Sequence, residues 1–225
     1  YGAENPHWWD AGRLVEITLQ HKQLTSEIPE SFSLLDKLEI LRLTGNMLSG
    51  TIPNSLTNLE NLRTLKLSSN NLSGGIPENI GALTRLDSIM LSNNLFTGSI
   101  PSSIGSMTNI KYLYLDGNLL TGSLPESIGN LENIVILYLD NNKLTGEIPS
   151  SIGNLLTLKR LYLLNNFLTG EIPEQICNIY SYNPDFRSLF HNNELCPPYP
   201  ECIPLNHLGL TEDNVIKQDT TNCNE

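Results

Sequence analysis

A set of tyrosines and aspartates recurs at one spacing in the middle of the chain, and these side chains are the best suited to bind a partner. Three of the tyrosines follow one another at intervals of 24 residues, and each aspartate stands two positions after a tyrosine. Phenol rings combine apolar area with a hydroxyl, and tyrosine is enriched where protein interfaces gain most of their energy. We predict a binding strip made of Tyr112, Tyr114, Asp116, Tyr138, Asp140 and Tyr162.

The binding interpretation of this strip has a structural competitor. Near-identical repeats can keep tyrosines because the rings pack on one another across neighbouring strands. Under the binding interpretation, the two carboxylates favour a basic or sugar-bearing partner, whereas Arg42 and Lys66 place positive charge at the N-terminal end. The sequence therefore predicts a polarised surface whose main contact spans the fifth to seventh repeats described below.

The other polar residues form no pattern of an active site or a metal centre. The serines fall at loop positions, and no glycine-rich phosphate loop occurs. The cysteines lack a C-x₂-C pair, which disfavours a zinc site. We predict a protein that is not an enzyme and that holds no metal and no cofactor. The histidines share no motif; they are His7, His21, His191 and His207.

The strip must be positioned by a repeat that runs through most of the chain. The stretch 158–173 reads LKRLYLLNNFLTGEIP, and the same form recurs upstream every 24 residues. Its asparagines are Asn46, Asn70, Asn94, Asn118, Asn142 and Asn166. Its prolines are Pro29, Pro53, Pro77, Pro101, Pro125, Pro149 and Pro173. A fixed period of this length, with the form L-x-x-L-x-L-x-x-N-x-L, is typical of leucine-rich repeats, whose stacked turns share one core.

Each repeat predicts one short β-strand followed by an outer segment. Side chains alternate along a strand, so Leu113 and Leu115 point into the core while Tyr114 between them points outward, onto the concave face. The short amide of Asn118 can bond buried backbone groups where the chain leaves the strand. The Ser-Ile-Gly-Asn-Leu piece at 127–131 predicts a short helical turn on the convex side.

The repeats divide the chain into three parts. Residues 1–13 are predicted to form an N-terminal cap, in which Trp8 and Trp9 cover the apolar end of the first turn. Residues 14–195 form a solenoid of about eight repeats, and residues 196–225 form a disulfide-containing C-terminal cap.

Charge and cysteine content narrow the class of protein. The chain of 225 residues carries 24 acidic and 13 basic residues, which argues against a nucleic-acid partner. All 4 cysteines lie in the last quarter, so we predict disulfides, an oxidising compartment and an extracellular or cell-surface location. No apolar run approaches the roughly 20 residues that span a bilayer. The sequon Asn71-Leu72-Ser73 predicts glycosylation of Asn71.

The repeat LTGxIPxxIGxLxxLxxLxLxxN resembles the plant-type leucine-rich repeat of receptor-kinase ectodomains and polygalacturonase-inhibiting proteins. The resemblance covers residues 14 to 196. It implies an α/β repeat fold, a curved right-handed solenoid with one parallel sheet on the concave face and short helical turns on the convex face. It also implies that the concave face binds peptides, hormones or proteins. The family's usual N-terminal cysteine pair is missing, and the LCPPYPEC tail looks closer to proteins of microbes or algae.

The four cysteines allow three disulfide pairings. The segment 193–202 is similar to the family's closing NxxLCGxPLxxC cap, which implies Cys196–Cys202 and leaves Cys177–Cys223. Stacking of adjacent turns suggests instead that Cys177 pairs with Cys202 and Cys196 with Cys223. The prediction that follows the resemblance is the first of these.

Together these observations predict an extracellular module that binds a protein or peptide, or alternatively a carbohydrate, on its concave face. A structural or adhesive surface protein that self-assembles is the main alternative. An enzyme inhibitor and an ice-binding protein are further alternatives. Ice binding would use a column of hydroxyls, but hydroxyls at such positions commonly bond local backbone. That column is Thr97, Thr121, Thr145 and Thr169.

Overall fold

The chain forms a solenoid in which every turn adds one strand to a single parallel sheet. The computed structural model describes residues 9–10, 13–202 and 223. We call the eight-stranded sheet on the inner side the concave sheet, and its strands follow chain order. They are Glu16–Thr18, Ile40–Arg42, Thr64–Lys66, Ser88–Met90, Tyr112–Tyr114, Ile136–Tyr138, Arg160–Tyr162 and Arg187–Leu189.

From the third turn onward, the chain adds a short strand beside the concave sheet after each bend, and we call these the flanking strands. They are Ser73–Gly74, Leu95–Phe96, Thr121–Gly122, Lys143–Gly146, Phe167–Glu171 and Glu194–Cys196. The convex side carries short 3₁₀ turns, as predicted. They are Glu30–Leu34, Asn54–Asn58, Ile80–Ala82, Ser102–Ser106, Glu126–Asn130 and Ser150–Asn154.

The core consists of stacked leucines and isoleucines supplied by each turn. In the fifth repeat, Leu113, Leu115 and Leu120 are 0%, 1% and 0% exposed. Ile128 and Leu131 close the same turn from the convex side and are also fully buried. Burial of apolar area contributes about 25 cal/mol per Å², so the repeated leucines supply the main driving force for stacking.

Asparagines at the bend satisfy backbone groups that the turn would otherwise leave unpaired. The Asn118 Oδ1 accepts a hydrogen bond from the Phe96 N–H at 3.1 Å, and its Nδ2 donates to the carbonyls of Leu91 and Leu115 at 3.1 and 3.0 Å. Asn118 therefore joins its own turn to the turn before it. The same pattern recurs from Asn70 to Asn193.

Glycine in the convex turns allows close approach of successive repeats. A Cβ on Gly129 would overlap the carbonyl oxygen of Ser151 in the next turn, and Gly105 stands in the same relation to Ser127. The 3₁₀ turns can therefore pack directly on one another.

The last turn is longer because an α-helix, Ile176–Tyr182, replaces the 3₁₀ turn. The step from Asn166 to Asn193 is 27 residues instead of 24. Asn193 nevertheless makes the same bonds, from its Nδ2 to the carbonyls of Leu163 and Phe190 at 2.9 and 2.8 Å. The extra residues are absorbed on the convex side without disturbing the eighth strand.

The disulfide pairing predicted from the family resemblance is wrong. Cys177 bonds to Cys202 and Cys196 bonds to Cys223, with Cα–Cα distances of 5.8 and 5.5 Å. Both distances suit a disulfide. The bridges span 25 and 27 residues, about one turn of the solenoid, so each links adjacent turns. The predicted pairs Cys196–Cys202 and Cys177–Cys223 do not form, because stacking and not sequence proximity brings these sulfurs together.

The predicted caps at the two ends lie largely outside the described residues. At the N-terminus, Trp9–Asp10 pairs antiparallel with Arg13–Leu14. The covering role of Trp8 and Trp9 stays a prediction, because Trp8 and the side chain of Trp9 lie outside the described part. Most of residues 203–225, which belong to the predicted C-terminal cap, also lie outside the described part. Among the described residues, no helix is long and apolar enough to cross a bilayer.

Candidate functional site

The concave sheet brings the predicted tyrosines into one row. Tyr114, Tyr138 and Tyr162 are direct neighbours across three parallel strands, and all three side chains are partly buried. Tyr112 lies two positions before Tyr114 on the same strand and pairs with Ile136 of the next. The alternation of each strand places the leucine between them in the core. The four rings therefore lie together on the concave face.

The tyrosine rings pack on one another in a defined geometry. The rings of Tyr138 and Tyr162 are stacked, with centroids 4.4 Å apart and planes inclined by 5°. The ring of Tyr114 meets Tyr138 edge to face at 4.9 Å and 82°. These contacts hold the rings in place, which the structural interpretation requires. Because the rings are already ordered, their side chains would lose little conformational entropy when a partner binds.

The two aspartates border this row and are held by neighbouring polar groups. The Ser92 hydroxyl donates to the Asp116 carboxylate at 2.6 Å, and the Asn141 amide donates to Asp140 at 2.6 Å. Asn141 in turn accepts from Asn165 at 2.8 Å, and Asn165 accepts from Asn192 at 2.6 Å. A chain of three amides thus runs across successive turns and ends on Asp140.

Burial shifts the proton affinity of this strip. Burial, followed by the effect of Tyr162, raises the pKa of Tyr138 to about 12, so its hydroxyl stays protonated and can donate a hydrogen bond. Burial, followed by Tyr112 and Asp116, also raises the pKa of Tyr114. Burial and the nearby Asp116 raise the pKa of Asp140, although the Asn141 hydrogen bond acts in the opposite direction. The charge on Asp140 is therefore unfavourable, and a cationic partner would relieve that cost.

The positive end of the concave face differs from its predicted form. Arg42 and Lys66 are neighbours across two strands, as expected. However, the Arg42 guanidinium forms an ion pair with Glu16 at 2.8 Å. Lys66 has no ion-pair partner among the described residues, so it is the freer of the two cations.

Some residues of the site were not found by sequence reasoning. Ser92, Asn141 and Asn165 support the two aspartates but were not singled out. The asparagines had a visible signal, because Asn141 and Asn165 each precede a repeat asparagine as part of an Asn-Asn pair. All three amide-chain residues have positive φ, which asparagine tolerates better than most residues. Ser92 also had a signal, because it stands 24 residues before Asp116 at the same position of the repeat.

The threonine column proposed for ice binding does not form an aligned row. Thr97, Thr121 and Thr145 are exposed, but neighbouring flanking strands are offset by two residues. Thr121 therefore pairs with Lys143, and Thr145 with Phe167. A column drawn at the repeat period is tilted across these strands, and each threonine lies beside a different residue type.

The predicted glycosylation site lies on the same side as the flanking strands. Asn71 is exposed, and its N–H donates to the Leu48 carbonyl at 2.8 Å. Asn71 is therefore accessible to solvent. Glycosylation of Asn71 stays a prediction.

Comparison with known families decides which family this fold represents. Residues 12–72 and 84–144 match a family model described as leucine rich repeat, and residues 157–179 match a second model of the same description. The chain belongs to the leucine-rich-repeat family. A search of curated protein sequences gave no significant match to this leucine-rich-repeat protein.

Solved structures of plant receptors are similar to this leucine-rich-repeat protein. The plant peptide hormone receptor RGFR1 in complex with RGF2 has 36% identity and a TM-score of 0.78, over 81% of this chain and 29% of that one. The ectodomain of GASSHO1/SCHENGEN3 from Arabidopsis thaliana, in complex with CASPARIAN STRIP INTEGRITY FACTOR 2, has 30% identity and a TM-score of 0.76. That match covers 85% of this chain and 26% of the other. The chain thus spans under a third of each of these receptors.

A plant protein of different function also has a similar fold. The crystal structure of a plant ice-binding protein has 25% identity and a TM-score of 0.63, over 85% of this chain and 77% of that one. Solenoids similar to this one therefore occur both in a plant peptide hormone receptor and in a plant ice-binding protein.

Proposed function

We propose that this leucine-rich-repeat protein is an extracellular module that binds a peptide or protein segment on its concave face. The observation that carries the proposal is the packed row of Tyr114, Tyr138 and Tyr162, bordered by Asp116 and Asp140. Ordered aromatic side chains beside carboxylates suit a segment that contains both apolar and basic residues. The main contact lies on the fifth to seventh repeats.

Two further observations support this function. Similar structures include a plant peptide hormone receptor in complex with RGF2, which supports a peptide or protein partner. The two disulfides fit an oxidising compartment, which supports an extracellular location.

The function is tested with a double variant, Tyr138→Ala with Tyr162→Ala. Short random peptides are displayed as a library, selected on the immobilised native protein, and measured against both proteins by titration calorimetry. We expect the affinity of selected peptides to fall by about thirtyfold or more, because interface tyrosines of this kind often contribute over 2 kcal/mol. These side chains point away from the core, so circular dichroism should show an unchanged fold.

The matched control is Tyr182→Ala, which removes a tyrosine that is 67% exposed at the end of the α-helix and off the concave face. This change should leave peptide affinity unaltered. If the folded double variant binds the selected peptides as tightly as the native protein does, the concave strip is not the binding surface.

Ice binding is a second candidate, favoured by the similarity to a plant ice-binding protein and by the exposed threonines. The two-residue offset between flanking strands weighs against it, because it places Lys143 and Phe167 beside Thr121 and Thr145 instead of further hydroxyls. A thermal-hysteresis measurement on the purified protein tests this candidate directly. We expect no hysteresis, and clear hysteresis would favour ice binding over peptide binding.

A further inference from the structure

We propose that the concave face carries a second, carboxylate-binding subsite beside the tyrosine row, built around Ser88, Lys66 and Lys111. This proposal rests on the peptide-binding function above and adds a direction to it. The occupant is a carboxylate of the bound peptide, supplied either by an acidic side chain or by a free C-terminus.

The subsite is a depression on the concave sheet, directly next to the predicted strip. It has a volume of about 360 Å³. Its floor is formed by the third to fifth strands, and its wall on the C-terminal side is formed by Tyr112 and Tyr114. The other lining residues are Arg42, Thr64, Lys66, Asp87, Ser88, Met90 and Lys111. An occupant could therefore contact the depression and the tyrosine row at the same time.

The charges around the depression favour an anion. Lys66 and Lys111 have no ion-pair partner among the described residues, whereas Arg42 is neutralised by Glu16 at 2.8 Å. Asp87 is the acidic residue of the lining. Two unpaired ammonium groups against one carboxylate make this a locally positive surface on a chain whose formal charge is −11. An anionic group is attracted here and repelled by most of the remaining surface.

A buried hydroxyl at the floor provides an independent sign of a ligand. Ser88 is 5% exposed, and its Oγ has no hydrogen-bond partner within the part of the chain that the structure describes. Buried polar groups are nearly always paired, because an unpaired one loses its hydrogen bonds to water without replacement. Ser88 lies on the strand between those of Lys66 and Tyr112. A carboxylate oxygen in the depression would accept a hydrogen bond from this hydroxyl after a rotation of its side chain.

The two subsites together set the direction of the peptide. Asp116 follows the strand that ends at Tyr114, which lies two strands from the strand of Lys66. Asp140 follows the strand that ends at Tyr138, which lies three strands from the strand of Lys66. At about 4.8 Å per strand, the opposite charges are separated by roughly 10–14 Å. An extended chain covers this distance in about three to four residues. A peptide with a basic residue and an acidic residue at that separation would fit in one orientation only.

The test uses peptides selected on the native protein from the displayed library, then resynthesised with changed acidic groups. One set replaces glutamate or aspartate by the amide, and another amidates the C-terminus, so the two sources of the carboxylate are distinguished. Each set is titrated against the native protein and against Lys66→Gln with Lys111→Gln. We expect one of the two neutralised sets to lose about tenfold in affinity for the native protein and little for the variant.

Two further variants make the result specific. Lys22→Gln with Lys143→Gln removes the same charge at exposed positions outside the depression and should preserve the preference for a carboxylate. Ser88→Ala should weaken binding of the acidic peptides several-fold without lowering the thermal midpoint, because it removes an unpaired group. A lower midpoint with unchanged affinity would contradict the role of Ser88.

The outcomes separate failure of the subsite from failure of the proposed function. If selected peptides depend on Tyr138 and Tyr162 but show no preference for a carboxylate, or keep that preference in the lysine variant, the subsite proposal is overturned alone. If no selected peptide depends on the tyrosines, both proposals are overturned.

Discussion

At the scale of single residues, the ionised carboxylate of Asp140 lowers the stability of the folded protein but is available to a cationic partner. Its carboxylate is half-buried near Asp116, and these two effects raise its pKa despite the hydrogen bond from Asn141. A carboxyl group whose pKa is raised on folding binds its proton more tightly in the folded state. Its ionised form therefore lowers the free energy of unfolding above that pKa, and this penalty disappears as the pH falls.

The change Asp140→Asn tests whether the charge on Asp140 lowers the free energy of unfolding. The amide keeps an oxygen for the Asn141 hydrogen bond but removes the charge, so we expect a more stable protein at neutral pH. The advantage should shrink as the pH is lowered and vanish below about pH 4, where the carboxyl is protonated in both states. Urea unfolding across this pH range provides the measurement. A less stable variant at neutral pH would mean that the hydrogen bond to the charged group outweighs burial.

At the scale of elements, each turn is held to the previous one by leucines and by one buried asparagine. The leucines supply apolar burial without direction, whereas the asparagine bonds fix how far one turn is rotated against the next. Asn118 reaches the carbonyl of Leu91 in the previous turn and of Leu115 in its own. The tyrosine row depends on this alignment, because a slipped turn would separate the rings.

Replacing Asn118 tests the contribution of these bonds. Asn118→Ala should lower the free energy of unfolding by about 1–3 kcal/mol, because it leaves buried N–H and C=O groups unpaired. The exposed Asn130, at the end of a 3₁₀ turn, serves as the matched control, and Asn130→Ala should change stability little. Equal denaturation midpoints for the two variants would contradict the bonding role of Asn118.

The buried leucines of the same turn are tested separately. Leu115 is 1% exposed, so Leu115→Ala should leave a cavity and cost about 2–5 kcal/mol. The exposed Leu156 offers a control of the same residue type, since Leu156→Ala removes little buried area. Chemical denaturation followed by circular dichroism gives both values, and a Leu115 variant as stable as the Leu156 variant would exclude the assigned core position.

At the scale of the whole molecule, the solenoid is a chain of neighbour contacts with two ends. Interior turns are protected on both sides, but a terminal turn exposes its core and needs another means of stabilisation. At the C-terminal end, the described residues place two disulfides between adjacent turns. A disulfide of this loop length contributes about 2–5 kcal/mol, mainly by restricting the unfolded chain.

The disulfide pairing is open to direct measurement. Digestion with trypsin and a glutamate-specific protease cuts after Glu201, which separates Cys196 from Cys202. Mass spectrometry without reduction should then find the Cys177 peptide joined to the Cys202 peptide, and the same sample after reduction is the control. A peptide joining Cys196 to Cys202 would show that the family-like pairing forms instead.

Much of this fold follows from the sequence because each repeat makes one turn. A residue 24 positions further along the chain lies directly above its predecessor in the concave sheet, so the tyrosine row and the asparagine bonds could be predicted by counting. The core leucines and the convex turns followed from side-chain alternation and turn chemistry in the same way.

Other features were decided only by tertiary structure, because they depend on how turns are offset and where the repeat ends. The flanking strands slip by two residues per turn, so threonines at equal spacing do not align. The sequence left two disulfide pairings open, and the stacking of the last turns brings Cys177 to Cys202 and Cys196 to Cys223. The unpaired hydroxyl of Ser88 and the pairing of Arg42 with Glu16 depend on side-chain placement across strands. A period determines which residues stack, but the contacts between neighbouring side chains arise only once the turns have packed.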